Sequence, residues 1–247
     1  MSTNHMTAGH NALRGSGPGW SNSWVIAGFG GFVILAALFL VQERRSRHPM
    51  LPLSLFSQRM FALTSLDGLL VNVAFYGLIF VFSLYFQQVN GWSAFATGLA
   101  FVPMMGAVLP ANLVAARLTK RFGAPAIIAG GASISAASCL ALLGIAGHRY
   151  WAMCAQLVAM GAGLGLLVPP LTSTLLGSVE KARSGVAAGV LNSARQTGSV
   201  LGVALFGSLI GQANAFLFGA RAALIVSALL LIASALIIVF GSRAEQK

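Results

Sequence analysis

Apolar residues run through this chain in seven long stretches, each bounded by a polar or charged segment. A helix needs about 20 mostly apolar residues to cross the hydrocarbon core of a bilayer, and these stretches reach or approach that length. The pattern therefore predicts an all-α, polytopic membrane protein with seven transmembrane helices, at about 24–41, 62–87, 94–116, 125–146, 151–177, 184–210 and 222–241.

Polar segments divide the chain into five parts. Residues 1–23 form a polar N-terminal tail, and 24–41 form a first transmembrane helix that stands apart from the rest. The longest loop, 42–61, is amphipathic in its second half, which we expect to lie along the membrane surface. Residues 62–241 hold six further helices joined by short loops, followed by the tail 242–247. Because these loops are short, we expect helices that are neighbours in sequence to pack antiparallel.

Composition and charge agree with a membrane protein. The chain is 57% hydrophobic and 8% charged, whereas soluble domains are about 25% charged. The net charge of +11 does not indicate nucleic-acid binding, because the basic residues lie mostly in alternate loops; these residues are Arg44, Arg45, Arg47, Arg59, Arg117, Lys120, Arg121, Lys181, Arg183, Arg243 and Lys247. By the positive-inside rule these loops are cytoplasmic, which predicts an external N-terminus and a cytoplasmic C-terminus.

One arginine, Arg195, lies in the middle of the predicted span 184–210. A charge near the bilayer midplane costs roughly 2.5–3.5 kcal/mol on insertion scales, so it calls for a buried partner or a function. Two interpretations are open. Arg195 serves a structural or gating role at an interface between helix bundles, or it binds substrate or modulates a proton carrier.

Several predicted spans carry a sparse polar stripe. Asn72, Tyr76 and Gln87 share a face of 62–87, and Gln156 and Met160 share a face of 151–177. Such stripes line a water-filled path or form hydrogen bonds between packed helices, and the pattern leaves both open. Asn192 and Gln196 lie with glycines on one face of 184–210, and Arg195 flanks that face, which is suited to close helix contact. Span 151–177 also holds residues that disturb helices, namely Gly161, Gly163, Gly165, Pro169 and Pro170.

Asp67 is the only acidic residue within any predicted span. A proton-coupled carrier needs a titratable group in the membrane, so Asp67 is a possible proton carrier. It lies on the side of its helix opposite Asn72 and Tyr76, one or two turns from the predicted cytoplasmic end. That position favours an alternative in which it reaches the interface or pairs with a loop arginine.

Enzyme chemistry finds no support in the sequence. The histidines all lie outside the predicted spans, and no His/Cys cluster has metal-ligand spacing, so we expect neither catalytic residues nor a metal site nor a cofactor. A retinal protein would need a lysine within a span, and the lysines lie in the loops or the tail.

Four motifs in order resemble one transporter family. They are the run Pro49–Phe61, the turn Gln87–Ser93 followed by Gly98 and Pro103, the run Gly161-x-Gly163-x-Gly165 with Pro169-Pro170, and the run Gly185-x-x-x-Gly189-x-x-Asn192-x-x-Arg195-Gln196-x-Gly198-x-x-x-Gly202. Together they are similar to fourteen-span drug:proton antiporters of the major facilitator superfamily, over nearly the whole chain. The resemblance implies that 62–241 is the C-terminal six-helix bundle and that 24–41 is one of two extra helices between the halves.

Two departures from the family pattern matter. The basic loop with Arg117, Lys120 and Arg121 has Lys120 where the family has an aspartate, so a charge relay through that acid is absent. The N-terminal bundle, which in this family supplies much of the drug site and the usual proton-carrying acids, is also missing from the sequence. We therefore expect a fragment, a truncated product or one half of a split transporter.

The resemblance implies half of a proton-coupled multidrug exporter of the plasma (inner) membrane that works by alternating access, with the proton gradient as its energy source and a small amphiphilic, drug-like substrate. Within that framework we place the polar-stripe residues Asn72, Tyr76, Gln87, Gln156 and Met160 near the substrate path. We place Asn192, Arg195 and Gln196, with the glycines and prolines of 151–177, at the seam between the two halves. The alternative is a non-transporting remnant, or a regulatory or scaffold subunit that pairs with a full-length carrier.

Overall fold

The computed structural model describes residues 53–144, 150–210 and 216–243, together with single residues between 23 and 42. The chain divides into two units, 1–52 and 53–247, and the fold of the second unit is described below. The predicted tail 1–23, most of the predicted first span 24–41, the loop residues 43–52 and the end of the C-terminal tail lie outside the described residues.

The described residues of the second unit form helices joined by short turns, with no strand among them, which confirms the predicted all-α class. After a short 3₁₀ helix, Leu53–Ser57, the α-helices are α1 (Arg59–Leu84), α2 (Ala94–Ala100), α3 (Val102–Phe122), α4 (Ala124–Leu143), α5 (Tyr150–Gly177), α6 (Ser184–Ile210) and α7 (Phe216–Arg243). A π-helical turn, Tyr85–Val89, extends α1, and α2 and α3 together fill the predicted span 94–116.

Five of these helical stretches have the length and the apolar composition to cross a bilayer, counting α2 and α3 as one. Helix α6 has 27 residues but is more polar, because Asn192, Arg195 and Gln196 lie near its middle. Large apolar side chains cover much of the outer surface; Leu109 is 67% exposed and Leu113 is 66% exposed. An apolar surface of this kind is typical of helices that face lipid.

Helix packing differs from the expected order. Among the helices that the structure describes, only α4 and α5 are neighbours in sequence that also pack extensively. Helix α1 packs on α6 and α7, α3 on α5, and α4 on α7. The expectation that sequence neighbours pack together is therefore wrong for most pairs. The same set of helix pairs results when α1 is exchanged with α5, α3 with α6 and α4 with α7. The bundle therefore consists of two related three-helix repeats, one made of α1, α3 and α4 and the other of α5, α6 and α7.

Glycines bring α5 close to two neighbours. A methyl group at Gly161 or Gly165 would overlap backbone carbonyls of α3, at Met104 and Val108, and one at Gly163 would overlap the Gly131 carbonyl of α4. Small residues allow such close approach between membrane helices. Pro169 and Pro170 lie inside α5 without ending it.

The second half of the predicted surface loop is part of the bundle. Leu55 of the 3₁₀ helix is buried with Phe61, Leu175, Ala187 and Leu191, so it is anchored among α1, α5 and α6. Helix α1 then begins at Arg59, three residues before the expected span.

Candidate functional site

An open pocket of about 310 Å³ lies where α1, α5 and α6 meet. It has a mixed lining, with polar side chains on α1 and α6 and apolar side chains on α1 and α5. The lining residues are Val71, Asn72, Phe75, Tyr76, Leu164, Val168, Asn192, Arg195 and Gln196. The structure thus brings together residues that the sequence assigned to two places, the substrate path and the seam.

Arg195 spans the pocket from α6 to α5. Its Nη2 donates a hydrogen bond of 2.9 Å to Thr172 Oγ1, and the Thr172 hydroxyl in turn donates to the Val168 carbonyl at 3.0 Å. Gly68 on α1 lies beside this side chain: a methyl group there would lie 3.7 Å from Arg195 Cγ, an ordinary contact distance, but only 2.7 Å from Leu191 Cδ1. The Arg195 guanidinium is therefore hydrogen-bonded to α5, and the aliphatic part of its side chain packs on α1.

The other polar groups of the pocket are mostly accessible. Tyr76 is 43% exposed and lies close enough to Arg195 to interact with it electrostatically. Asn192 and Gln196 are exposed, whereas the Asn72 amide donates to the Gly68 carbonyl at 2.7 Å. No carboxylate of the described residues pairs with Arg195, so its contacts there are with the hydroxyl-bearing side chains of Thr172 and Tyr76 and leave its positive charge without an anion.

Asp67 is fully buried, with 0% of its surface exposed. It faces Ser234 of α7, and none of the side-chain oxygens of these two residues makes a hydrogen bond within the described part of the chain. The expectation that Asp67 reaches the interface is wrong, because α1 turns this side chain into its contact with α7. Pairing with a loop arginine does not occur among the described residues either.

The remaining path candidates lie away from the pocket. Gln87 is exposed in the π-helical turn after α1, and Gln156 is half-buried in the first part of α5. Met160 is buried, and its backbone carbonyl accepts a hydrogen bond of 3.2 Å from Ser135 Oγ on α4. The glycines Gly161, Gly163 and Gly165 lie in the contacts of α5 with α3 and α4 described above.

The glycines of α6 fall into two groups. A methyl group at Gly198 or Gly202 would overlap a backbone carbonyl of α1, at Leu69 and Val73 respectively, whereas Gly185 and Gly189 have nothing within 4 Å of an added methyl group. The first pair is buried in a helix contact within the bundle. The second pair lies on an open face of α6, in the part of the helix that precedes Asn192 and Arg195.

The loop residues Arg117, Lys120 and Arg121 are exposed at the end of α3, and the Arg121 guanidinium carbon lies 5.2 Å from the centre of the Phe122 ring. Arg59, Lys181 and Arg183 are also exposed, at the start of α1 and just before α6. Alternation of the helices puts all of these at one end of the bundle, which we call the basic end.

Sequence reasoning missed two partners. Thr172, which supports Arg195, follows Pro170 by two residues, and its hydroxyl was one of many on α5. Ser234, which faces Asp67, is one of the few polar residues in an otherwise apolar helix. In both cases the relevant signal is a contact between helices far apart in the sequence.

Comparisons with known proteins identify the family. The family model for the Major Facilitator Superfamily matches residues 12–203. The chain is 30% identical over 210 residues to the methylenomycin A resistance protein of Bacillus subtilis, covering 84% of this chain and 45% of that protein. The methylenomycin A resistance protein of Streptomyces coelicolor is 31% identical, with 84% and 44% covered. The multidrug resistance protein Stp of Mycobacterium tuberculosis is 30% identical, with 80% and 37% covered. The chain thus spans less than half the length of these relatives.

Proposed function

The chain belongs to the major facilitator superfamily, a family of transporters and not of enzymes, and on that basis we propose that it forms the C-terminal half of a proton-coupled exporter of drug-like molecules. The relatives named for resistance to methylenomycin A and to multiple drugs support an efflux role. The proposed location is the plasma (inner) membrane, with the basic end in the cytoplasm, the N-terminus outside and the C-terminus inside.

The observation that carries this proposal is the pocket around Arg195. It joins an apolar wall to polar side chains on helices from both three-helix repeats, which is where transporters of repeated architecture place their substrates. Its openness agrees with a site that a second bundle completes. The proposed partner is an N-terminal six-helix half or a partner carrier, against which this bundle rocks while the substrate crosses.

The open glycine face of α6 is proposed to contact that second bundle. Gly185 and Gly189 have room for a side chain within the described structure, yet small residues in a membrane helix usually serve close helix approach. A partner helix at this face would account for them. Asn192 and Arg195 follow on the same helix, so the seam would run beside the pocket.

Gly189→Leu is expected to leave the bundle folded and to lower export roughly tenfold or more, because a leucine side chain would keep a closely packed partner helix away. Export is measured as energy-dependent loss of a preloaded fluorescent substrate from cells. The thermal midpoint of the purified protein serves as the control for folding. Unchanged export by this variant would argue against a partner at Gly189.

Proton coupling is proposed to use Asp67. A carboxylate that is buried without a hydrogen bond or a cation is costly in its ionised form, so ionisation there requires the contact between α1 and α7 to open. Gly68, the next residue, lies under the Arg195 side chain on another side of α1. Movement of α1 would therefore change the surroundings of both the carboxyl group and the pocket.

The alternative function is a non-transporting remnant, or a regulatory or scaffold subunit of a full-length carrier. The DNA upstream of the Met1 codon distinguishes the two. An N-terminal half encoded there, in frame or as a separate gene, is expected for half of an exporter. Upstream DNA without such a half, together with wild-type drug resistance after deletion of the gene, would favour the remnant or subunit.

A further inference from the structure

We infer that the pocket around Arg195 is a carboxylate-binding site, and that its ligand is a small amphiphilic acid carried as substrate. That the ligand is transported rests on the proposed function, but the binding site itself does not depend on transport. The ligand chemistry follows from three features of the pocket: a guanidinium without an anionic partner among the described residues, the way in which that group is held, and the apolar residues that complete the lining.

The first feature is the charge of Arg195. The described residues contain two acidic side chains, and neither is a partner: Asp67 faces α7, and Glu180 is exposed at the basic end. Tyr76 and Thr172, the groups that do interact with Arg195, are neutral. A half-buried guanidinium without an anion is the arrangement expected of a site that receives its anion from outside.

The second feature is the direction in which Arg195 is held. The single proton of the Thr172 hydroxyl is used on the Val168 carbonyl, so Thr172 Oγ1 can only accept from Arg195. A guanidinium has five N–H donors in a rigid fork, and this contact uses one of them. The supported guanidinium keeps enough donors for the paired hydrogen bonds that a carboxylate accepts.

The third feature is the composition of the remaining lining. Asn192 and Gln196, on the same helix as Arg195, add exposed amide donors, and α1 and α5 contribute the apolar residues Val71, Phe75, Leu164 and Val168. A volume of about 310 Å³ is at the small end of ligand pockets. The pocket therefore suits an acid whose carboxylate meets Arg195 and whose compact apolar body meets α1 and α5.

The test uses the full chain in nanodiscs of zwitterionic phosphatidylcholine, with 1-naphthoate as the probe and 1-naphthamide as its neutral analogue. Saturable binding is measured by equilibrium dialysis. Arg195→Gln is expected to weaken naphthoate binding at least about tenfold and naphthamide binding by less than about twofold. Arg195→Lys, which keeps the charge but not the fork, should fall between wild type and Arg195→Gln.

Two controls separate the site from general electrostatics and from misfolding. Arg183→Gln removes the same charge at the exposed basic end and is expected to leave naphthoate binding unchanged. Retained naphthamide binding by Arg195→Gln reports an intact pocket. Equal naphthoate binding by wild type and Arg195→Gln, or an equal loss with Arg183→Gln, overturns the inference.

A further arm distinguishes a substrate from an acidic side chain of a second bundle. Acetate resembles an aspartate side chain, and it should displace naphthoate only at concentrations about 100-fold or more above those at which naphthoate displaces itself, because it lacks the apolar body. Displacement by acetate at similar concentrations overturns the substrate assignment. If the intact carrier binds naphthoate but does not export it, the result counts against the proposed function and not against this site.

Discussion

Gly202→Leu is expected to destabilise the bundle by about 3 kcal/mol, because overpacking a tight contact forces neighbouring backbone apart. The added side chain would overlap the Val73 carbonyl of α1 from its first carbon onward. The other side of this contact is also tight, since a methyl group at Gly77 would overlap the Phe206 ring and lie 3.0 Å from the Gly202 carbonyl. Relief requires α1 and α6 to separate, which would also open the pocket between them. Thermal unfolding of the purified protein measures the effect.

Gly189→Leu is the matched control, because it makes the same substitution in the same helix. Replacing glycine with leucine raises the intrinsic helix propensity equally in both variants, by up to about 0.8–1 kcal/mol. The difference in stability between the two variants therefore reports the helix contact. Gly189 has nothing within 4 Å of an added methyl group, and its variant should melt within a few degrees of wild type. Equal melting temperatures for the two variants would contradict the packing of α6 on α1.

Asp67→Asn is expected to abolish the dependence of export on the pH gradient. The amide has the shape of the carboxyl group and can face the Ser234 hydroxyl in the same way, but it cannot take up or release a proton. Export against a gradient should stop, while exchange of labelled for unlabelled substrate across the membrane should continue, because exchange needs no net proton movement. Both rates are measured in vesicles with an imposed pH difference.

Glu180→Gln provides the control for Asp67→Asn. It makes the same chemical change at the other described acidic residue, which is exposed at the basic end, and gradient-driven export should remain at the wild-type rate. Asp67→Asn should also melt no lower than wild type, because the variant removes a buried group that is costly when ionised. Gradient-driven export at the wild-type rate by Asp67→Asn would mean that another group carries the proton.

The sequence predicted the helices well because the bilayer imposes the same length on all of them. Hydropathy alone located the helix 184–210, which the structure gives as Ser184–Ile210, and the helix 151–177, given as Tyr150–Gly177. Gly198 and Gly202, four residues apart, lie in the contact of α6 with α1, and small residues at this spacing are a local signal of close approach between membrane helices. These signals are local, so a single sequence carries them.

Helix partners could not be predicted in the same way. Short loops suggested packing between sequence neighbours, but the two three-helix repeats interlock, so that α1 meets α6 and α3 meets α5. Without that order, the position of Asp67 opposite Asn72 on its helix indicated only that it faces elsewhere, and not that it faces α7. For the same reason Asn72 and Arg195 were assigned to separate places, although both line one pocket.

Proton-driven movement of a substrate across the membrane tests the proposed function most directly. Everted membrane vesicles from cells that carry the gene, from a deletion strain and from an Arg195→Ala strain are given an acidic interior, and uptake of 1-naphthoate and of the neutral dye Nile red is followed. The predicted result is uptake that exceeds uptake in the deletion strain and collapses when nigericin dissipates the pH gradient, with uptake of 1-naphthoate, but not of Nile red, falling in the Arg195→Ala strain. Uptake that is the same with and without the gene would contradict the function proposed for this chain.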